Sequence, residues 1–396
     1  MQRGTFQLMK SVNKSIILNK IRTAEPISRA QIAKTTKLTP PTVSSIVKEL
    51  IEQGLVVERD SGQSMGGRKP TMLQINHTAF YIIGVDAGPD NIDVIIADLS
   101  GATLTHHSSQ LQASLTNEEF LAQLKISIHA IIDDAPINGN EILGIGVAMH
   151  GVVDVETGTS LISPNLGLTN IPIKAELEKE FNVIIKVEND ARAMALGEAW
   201  FGGHGEIDNM VAVNLGRGVG AGIVVAGKLY HGAQDIAGEI GHMTIDMNGK
   251  DCECGNRGCL QTFATGAAIS TRAADRLQAS ESSLEHEPVF KLTGESVYAL
   301  AKAGNKMYEE VLVETGVYIG VGLTNLIHLV NPKKVVLGGG VMNSAEFLLP
   351  SIQKTINQRA LTTDAKQTEV VVTSLGEDAT LLGAVSLLLV ELFEVG

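Results

Sequence analysis

Apolar and polar positions in the N-terminal segment predict three helices. Residues 12–21 carry apolar side chains along one face of a helix. Ser28 is the predicted N-cap of a second helix, and Thr39 is the predicted N-cap of a third that covers about residues 40–53. The third helix tolerates the prolines in its first turn, because the first N–H groups of a helix have no intrahelical partner, and Gly54 is the predicted stop signal.

A hairpin is predicted after these helices. Residues 55–59 and 71–75 have the composition of strands, and the Gly- and Ser-rich residues 61–67 connect them. Helix, turn, helix and a two-stranded wing together predict a winged helix-turn-helix over residues 1–78, the head of the chain.

The remaining chain, the body, alternates strand-like and helix-like segments, which predicts an α/β fold. Its roughly 320 residues favour two lobes. We expect a small α/β lobe at residues 79–190, completed by a C-terminal helix at 378–396, and a large α/β lobe at 191–377 that carries an oligomerisation surface. Strands are predicted at residues 81–99 (a pair around Gly88), 143–147, 183–187, 211–215, 222–225 and 335–337, and helices at 191–201 and 379–392.

The distribution of charge changes the interpretation of the head. The whole chain has a net charge of −13, which by itself argues against a nucleic acid partner. Residues 1–75, however, contain twelve Lys or Arg and only five Asp or Glu. A basic head on an acidic body is typical of a module that confines its phosphate contacts to one end of the protein.

Seven residues of the head are candidate DNA contacts. Short polar donors and cations suit base edges and phosphates, and glycines beside the wing-tip cations allow a close approach to a minor groove. The candidates are Arg29, then Thr42, Ser44, Ser45 and Lys48 on the third helix, and Arg68 and Lys69 on the wing. A helical bundle with a solvated basic loop is the alternative interpretation.

Neither a membrane span nor a signal peptide is expected. The apolar runs at residues 80–85 and 384–390 are too short to cross a bilayer. Residues 1–20 have no apolar core that ends in a small-residue cleavage site. We therefore expect a cytoplasmic protein with no membrane partner.

All three cysteines lie close together, and a histidine precedes them. The pattern is His242, nine residues, then Cys252, Cys254 and Cys259. One imidazole and three thiolates are typical of closed tetrahedral Zn²⁺ coordination, which is structural rather than catalytic. The loop lacks apolar residues for a core of its own, so zinc would supply its order. Three free thiols beside an unrelated histidine are the alternative.

Glycine-containing turns follow three of the predicted strands, at residues 86–88, 215–222 and 338–340. Backbone N–H groups in such turns can approach an anionic or polyhydroxyl ligand, although tight turns between packed elements have the same composition. Asp190 follows a strand where α/β sheets often hold ligands. It can accept a hydrogen bond from a hydroxyl, act as a general base, or cap the next helix.

The metal motif and the head carry a resemblance to a known family. Residues 238–242 read Gly-Glu-Ile-Gly-His, and residues 252–260 read Cys-Glu-Cys-Gly-Asn-Arg-Gly-Cys-Leu. This combination resembles the zinc signature of the ROK family of repressors and sugar kinases, and the resemblance covers essentially the whole chain. The head, at residues 26–45, is most similar to that of the xylose repressors of Gram-positive bacteria. The resemblance implies a winged helix-turn-helix joined to a two-lobed body with the actin/hexokinase-like fold of ROK sugar kinases.

The resemblance also implies a sugar site. It assigns sugar contacts to Asn165, Asn189, Asp190, Glu239, His242 and Gln261. His242 would serve zinc and sugar through different nitrogens, and Asp190 occupies the position of the kinases' catalytic base.

The sequence departs from the kinases mainly on the phosphate side. Pro89 and Asp90 replace a glycine and a threonine of the first phosphate loop, so that one N–H is lost and a negative charge is gained. Arg217 replaces a small hydroxyl residue of the second loop. Near the sugar, Gln261 replaces a glutamate and His150 replaces a proline.

These changes favour a repressor without catalysis. In this hypothesis a homodimer or tetramer binds operator DNA, and a monosaccharide closes the two lobes and releases the DNA, so that carbohydrate genes, xylose genes among them, are expressed. An active ATP-dependent sugar kinase with a DNA-binding head is the alternative that Asp190 supports. In a third hypothesis the protein also binds DNA, but its signal is a phosphosugar or a phosphotransferase protein. Arg217 can face a phosphate in that case.

Overall fold

The computed structural model describes residues 12–60, 71–137, 141–205, 207–279 and 292–393. The chain divides into two compact units, of which the first ends at Asp190 and resumes at Leu381, and the second is Ala191–Thr380. The first unit therefore contains the head, and it also takes in most of the helix that ends the chain.

The described part of the head has the predicted order of helices and strands. Its elements are α1 Val12–Ala24, β1 Ile27–Ser28, α2 Arg29–Thr36, α3 Pro40–Glu52, β2 Val56–Asp60 and β3 Thr71–Ile75. β3 pairs antiparallel with both β1 and β2. β1 was not predicted, because two residues are too few to show an alternating pattern. The loop predicted at residues 61–67, and Arg68 and Lys69, lie outside the described residues.

Local capping explains where the head helices begin. The Ser28 hydroxyl accepts a hydrogen bond from the Gln31 N–H, and the Gln31 side chain accepts one from the Ser28 N–H, which forms a capping box. The Thr39 hydroxyl accepts from the Thr42 N–H at the start of α3. Gly54 follows α3 with φ +76°, a conformation that favours glycine. The sequence predicted each of these three signals.

The body of the first unit is built on a mixed sheet. Its elements are β4 Tyr81–Ala87, β5 Asn91–Asp98, β6 Thr103–Gln110, α4 Asn117–Asp134, β7 Ile142–Met149, β8 Val152–Asp154, β9 Thr159–Ser163, β10 Leu168–Ile171, α5 Ile173–Glu180 and β11 Ile184–Asn189. The strand order is β6-β5-β4-β7-β11, in which β4, β7 and β11 are parallel and β4, β5 and β6 are antiparallel. Strands β8, β9 and β10 form a small antiparallel sheet beside it.

The C-terminal helix, Ala379–Phe393, packs against this sheet through glycines. A Cβ atom on Gly146 of β7 would overlap the carbonyl oxygen of Ala384, and one on Gly84 of β4 would crowd Val385. These glycines let the helix approach the strands closely. The apolar C-terminal segment therefore belongs to the core of the first unit.

The second unit repeats the same strand order. Its elements are α6 Asp190–Phe201, β12 Met210–Leu215, β13 Val219–Val225, β14 Lys228–Tyr230, α7 Gln261–Ala264, α8 Gly266–Ala279, α9 Gly294–Lys302, α10 Lys306–Val330, β15 Lys334–Gly338, α11 Ala345–Arg359, α12 Thr363–Lys366 and β16 Glu369–Val372. The order β14-β13-β12-β15-β16 again places an antiparallel pair on one side of the first strand and parallel strands on the other. Sequence patterns predicted individual strands, but they did not reveal this repetition.

Helix α10 provides much of the core of the second unit. Val311, Ile319 and Leu323 of α10 are buried in one apolar cluster with Leu348 and Ile352 of α11. Among the described helices, α10 is long and apolar enough to cross a membrane, but 61% of its most apolar window is buried inside the protein. Such burial is typical of a core helix.

Candidate ligand, metal and DNA-binding sites

The parallel strands of the first unit end side by side. Ala87 of β4 is in register with Met149 of β7, and Met149 is in register with Asn189 of β11. His150 and Asp190 come directly after two of these strands, so their side chains emerge at the same edge of the sheet. Ligands bind at this edge in many α/β proteins.

A chain of polar contacts connects three residues expected to contact sugar. Asn165 Nδ2 lies 2.7 Å from His150 Nε2, and His150 Nδ1 lies 3.4 Å from Asp190 Oδ2. The Asn189 side-chain amide donates to Asp190 Oδ1 at 2.9 Å and to the Gly151 carbonyl oxygen at 2.8 Å. The structure thus brings Asn165, Asn189 and Asp190 together around His150.

From the sequence, His150 was expected to reshape the sugar pocket as a departure from the kinases, but it was not among the predicted sugar contacts. Its side chain is 16% exposed, and that of Asp190 is 21% exposed, so both are partly shielded from water. The residue that follows, Gly151, has φ +99°, and a Cβ atom there would overlap the carbonyl oxygen of Ile162 in β9. Close packing of this turn therefore fixes the position of His150.

Two further carboxyl groups lie near this cluster. Asp86 and Asp93 face each other on the paired strands β4 and β5. Burial, with help from the nearby Asp190 and Asp93, raises the pKa of Asp86 from 3.8 to about 8, although His150 acts in the opposite direction. The edge of the sheet is therefore rich in acidic groups, and Asp86 is mostly protonated at neutral pH.

The two turns that the resemblance compares with phosphate loops both connect paired antiparallel strands. Residues 88–90 connect β4 and β5, and the Gly88 N–H donates to the Asn91 carbonyl oxygen at 3.1 Å. Arg217 lies in the turn between β12 and β13, where the Gly216 N–H donates to the Gly218 carbonyl oxygen at 3.0 Å. Both segments are therefore tight turns between paired strands, which is the alternative interpretation of these glycine-containing turns.

The four predicted zinc ligands converge in the second unit. His242 Nδ1 lies 3.8 Å from Cys252 Sγ, and Cys254 Sγ lies 3.8 Å from Cys259 Sγ. All four potential ligand atoms lie within 4.8 Å of one another. A tetrahedral Zn²⁺ with Zn–S bonds of about 2.3 Å separates its sulfur ligands by about 3.8 Å. The spacing of the side chains therefore fits zinc.

Backbone contacts stabilise the loop between His242 and Cys259. Thr244 forms a β-bridge with Cys259, and Asp251 forms one with Arg257. Gly258 has φ +69°, and a Cβ atom there would overlap the carbonyl oxygen of Asp246. The loop can therefore close only because this position lacks a side chain.

The thiols of this loop differ in the direction of their pKa shifts. Burial, together with the neighbouring thiols, raises the pKa of Cys259 to about 12, whereas backbone hydrogen bonding lowers the pKa of Cys254. Without a cation, the Cys259 thiol stays protonated at neutral pH. A metal ion bound by all four residues would stabilise its thiolate.

The predicted sugar contacts of the second unit border this metal cluster. Gln261, at the start of α7, places its side-chain Nε2 3.3 Å from Cys252 Sγ. Glu239 precedes the short 3₁₀ turn Ile240–His242, whose last N–H donates to the Glu239 carbonyl oxygen at 3.1 Å. His242 and Gln261 therefore contact the same sulfur, a relationship that the sequence did not predict.

Helix α3 of the head presents a polar face opposite its buried face. Val43, Val47 and Leu50 are buried, whereas Ser44, Ser45 and Lys48 are exposed and Thr42 is half-buried. This alternation, at helical spacing, leaves the polar residues on the accessible side of the helix.

Arg29 belongs to the same surface of the head. Its guanidinium forms an ion pair with Glu58 of β2 at 2.6 Å. A shallow cavity of about 440 Å³ is lined by Arg29, Lys34 and Ser44 together with small and apolar residues. Two predicted DNA contacts, Arg29 and Ser44, thus lie on one surface.

Comparisons with known proteins give consistent results. Residues 82–391 match the ROK family, and residues 11–64 match the MarR family. The chain is 33% identical to the xylose repressor of Caldicellulosiruptor bescii over 98% of its own length and 97% of that protein.

Two solved structures are similar to the chain as well. One is a ROK family transcriptional regulator described as a homologue of the Escherichia coli MLC protein, with TM-score 0.85 and 29% identity over 97% of this chain and 99% of that one. The other is a ROK family glucokinase from Streptomyces griseus in complex with glucose and AMPPNP, with TM-score 0.69 and 27% identity over 78% of this chain and 98% of that one. The regulator matches head and body, whereas the kinase matches little more than the body.

Proposed function

The chain belongs to the ROK family, and from that premise we propose that it is a sugar-responsive transcriptional repressor of carbohydrate utilisation genes. Its head binds operator DNA, and a monosaccharide bound by its body relieves repression. The observation that carries this proposal is the similarity, over almost the whole chain, to a protein named xylose repressor. The same similarity makes xylose the first candidate for the effector and genes of xylose utilisation the first candidates for its targets.

The proposed operator contacts lie on the head. The exposed polar face of α3 suits a major groove, and cations beside it suit the phosphates. The contacts are Thr42, Ser44, Ser45 and Lys48 on α3, Arg29 on α2, and Arg68 and Lys69 of the wing.

The proposed sugar contacts of the first unit are Asn165, Asn189 and Asp190. They supply amide and carboxylate groups at the ends of parallel strands, and such groups bind sugar hydroxyls as donors and acceptors. The polar contacts through His150 support this assignment. For the second unit, the resemblance to the family assigns sugar contacts to Glu239, His242 and Gln261.

We assign a structural zinc ion to His242, Cys252, Cys254 and Cys259. The metal would order the loop from His242 to Cys259, and two further proposed sugar contacts, Glu239 and Gln261, flank that loop. The 3.8 Å spacing of the ligand atoms supports zinc in this role.

We propose further that the body performs no catalysis. Pro89 and Asp90 remove an N–H and add a negative charge in the turn after β4. Asp93, which pairs with Asp86 across the same hairpin, adds a further acidic group near this turn and disfavours a nucleotide phosphate.

An ATP-dependent sugar kinase is the second candidate, and the similarity to the Streptomyces griseus glucokinase favours it. A coupled assay for nucleotide consumption, run with a panel of hexoses and pentoses, decides between the two. ATP-dependent phosphorylation of any of these sugars at an enzymatic rate would overturn the repressor proposal in its non-catalytic form.

Effector control needs two states that differ in operator affinity. A sugar that binds one state more tightly by a few kcal/mol shifts operator occupancy strongly. We propose that the DNA-binding form is a homodimer or tetramer, because paired heads can contact two half-sites. A cytoplasmic location follows from this role, and no membrane partner is needed.

The decisive experiment is an operator-shift titration with monosaccharides and their phosphates. We expect the wild-type protein to bind its operator without ligand and to release it with one free monosaccharide, xylose being tested first. Asn165→Ala should keep operator binding and lose the sugar response, whereas Lys48→Ala should weaken operator binding itself. Release by a phosphosugar alone would replace the proposed effector, and failure to bind any operator would remove the repressor role.

A further inference from the structure

We propose that His150 is a positioning residue for sugar recognition, because it connects Asp190 to Asn165 and determines which polar atom Asn165 presents to the ligand. This inference rests on the proposed function, since it concerns the same sugar site. The family resemblance assigned no role of this kind to His150.

The hydrogen-bonding capacity of the groups carries the argument. The amide nitrogen of Asn165 can only donate, so at 2.7 Å His150 Nε2 must accept. A neutral imidazole that accepts at Nε2 carries its proton on Nδ1. That proton points at the carboxylate of Asp190, 3.4 Å away.

The orientation of the Asn165 amide follows from this arrangement. Because its NH₂ group is held by His150, its carbonyl oxygen is left to accept a hydrogen bond from a sugar hydroxyl. If His150 instead donated from Nε2, the amide would have to turn its oxygen toward the ring and offer NH₂ to the ligand. The imidazole therefore decides whether Asn165 acts as an acceptor or a donor.

The elements around His150 hold it in place. It follows β7, and the next residue, Gly151, packs closely against the backbone of Ile162, which fixes the turn. Asn165 lies in the short 3₁₀ turn Pro164–Leu166 and is exposed, so a ligand can reach it. The titratable groups near the imidazole are Asp190, at the start of α6, and Asp86, near the end of β4, which is mostly protonated at neutral pH. The carboxylate of Asp190 favours a ring that turns a donor toward it.

Two substitutions with side chains close to histidine in size can each keep one of the two contacts of the His150 ring. The amide of a glutamine reaches the position of Nε2, so His150→Gln can keep the contact with Asn165. The amide of an asparagine reaches only the position of Nδ1, so His150→Asn can keep only the contact with Asp190. Sugar affinity is measured by calorimetry with the monosaccharide that releases the operator.

We expect His150→Asn to weaken sugar binding about tenfold and His150→Gln to weaken it less than about threefold, since one hydrogen bond contributes on this scale. In the double variant His150→Asn with Asn165→Ala, the loss should equal that of Asn165→Ala alone. Equal effects of Asn and Gln at position 150, or losses that multiply in the double variant, would overturn the proposal. His129→Asn is the matched control, because His129 is a surface histidine that contacts Glu180 in the same unit.

A second readout needs no ligand. In protein labelled with ¹⁵N-histidine, the imidazole signals that disappear in His150→Gln belong to His150, and we expect them to show the neutral ring with the proton on Nδ1. A proton on Nε2 alone would refute the connection to Asn165 directly. If the wild-type protein binds no monosaccharide, the proposed effector role and the positioning role fail, whereas the imidazole signals still decide whether the hydrogen-bonded connection exists.

Discussion

The side-chain amide nitrogen of Gln261 lies 3.3 Å from the sulfur of Cys252. A residue expected to contact sugar therefore also contacts a predicted zinc ligand. An N–H group directed at a thiolate stabilises its negative charge, and such outer contacts fix the geometry of metal ligands. Gln261 thus connects the metal cluster to the start of α7.

The contact predicts that Gln261→Ala will weaken zinc retention. Loss of the donor should raise the rate of zinc release to a chelator about tenfold, the lower end of the range for outer-sphere partners. A colorimetric chelator records this release directly. Gln278→Ala, at an exposed position of α8 in the same unit, is the control and should leave the rate unchanged. An unaltered rate in Gln261→Ala would show that the amide does not support the metal site.

Removal of a zinc ligand should destabilise the second unit. We expect about one zinc per chain in the wild-type protein by elemental analysis and far less in Cys254→Ser, because a closed structural site needs all four ligands. The variant should melt several degrees lower, and added chelator should lower the melting temperature of the wild type but not of the variant. Cys254 is exposed, so its loss creates no cavity that would explain the change by itself. Zinc-free wild-type protein would contradict the assignment.

Local signals made the head and the metal cluster predictable. The caps at Ser28 and Thr39 act within three residues of themselves, and the cysteines lie within a single loop after His242. Neither feature depends on how distant parts of the chain are arranged. Features that depend only on residues close together in the chain can therefore be predicted from the sequence.

The contacts around His150 were not predictable in the same way. Residues 150, 165 and 190 meet because β7 and β11 are neighbours in parallel register and because β9 packs behind Gly151. Periodicity predicts that a segment is a strand, but it does not give the order of strands in a sheet. The family resemblance named Asn165 and Asp190 without revealing that a histidine connects them.

The raised pKa of Asp86 predicts a pH-dependent gain in stability for Asp86→Asn. Because the folded-state pKa is raised from 3.8 to about 8, the unfolded chain releases this proton first as pH rises. The stability that the protonated carboxyl contributes is complete below about pH 4 and is lost as pH rises to about 8. The amide stays neutral throughout, so the melting temperature of Asp86→Asn minus that of wild type should increase across this range by several degrees.

Thermal melts at a series of pH values test this expectation. Asp133→Asn, at an exposed position of α4, is the control and should show a difference that does not change with pH. A flat difference for Asp86→Asn would mean that Asp86 ionises normally. The acidic edge of the sheet would then be more highly charged than the structure indicates.

Lys48 should contribute to operator affinity through phosphate rather than through base recognition. Its side chain is 78% exposed on α3 and has Glu52 at 3.8 Å as an ion-pair partner, a weak contact that DNA can displace. Neutralising one phosphate contact should reduce the slope of log affinity against log salt by about 1 and weaken binding to all sequences by similar factors.

The measurement is a salt titration with a duplex that the wild-type protein selects from a random pool, compared with an unselected duplex. Lys228→Ala, at an exposed position of the second unit, should retain the wild-type slope. An unchanged slope in Lys48→Ala would place this side chain away from the backbone of the DNA, and a loss confined to the selected duplex would make Lys48 a base-reading residue instead.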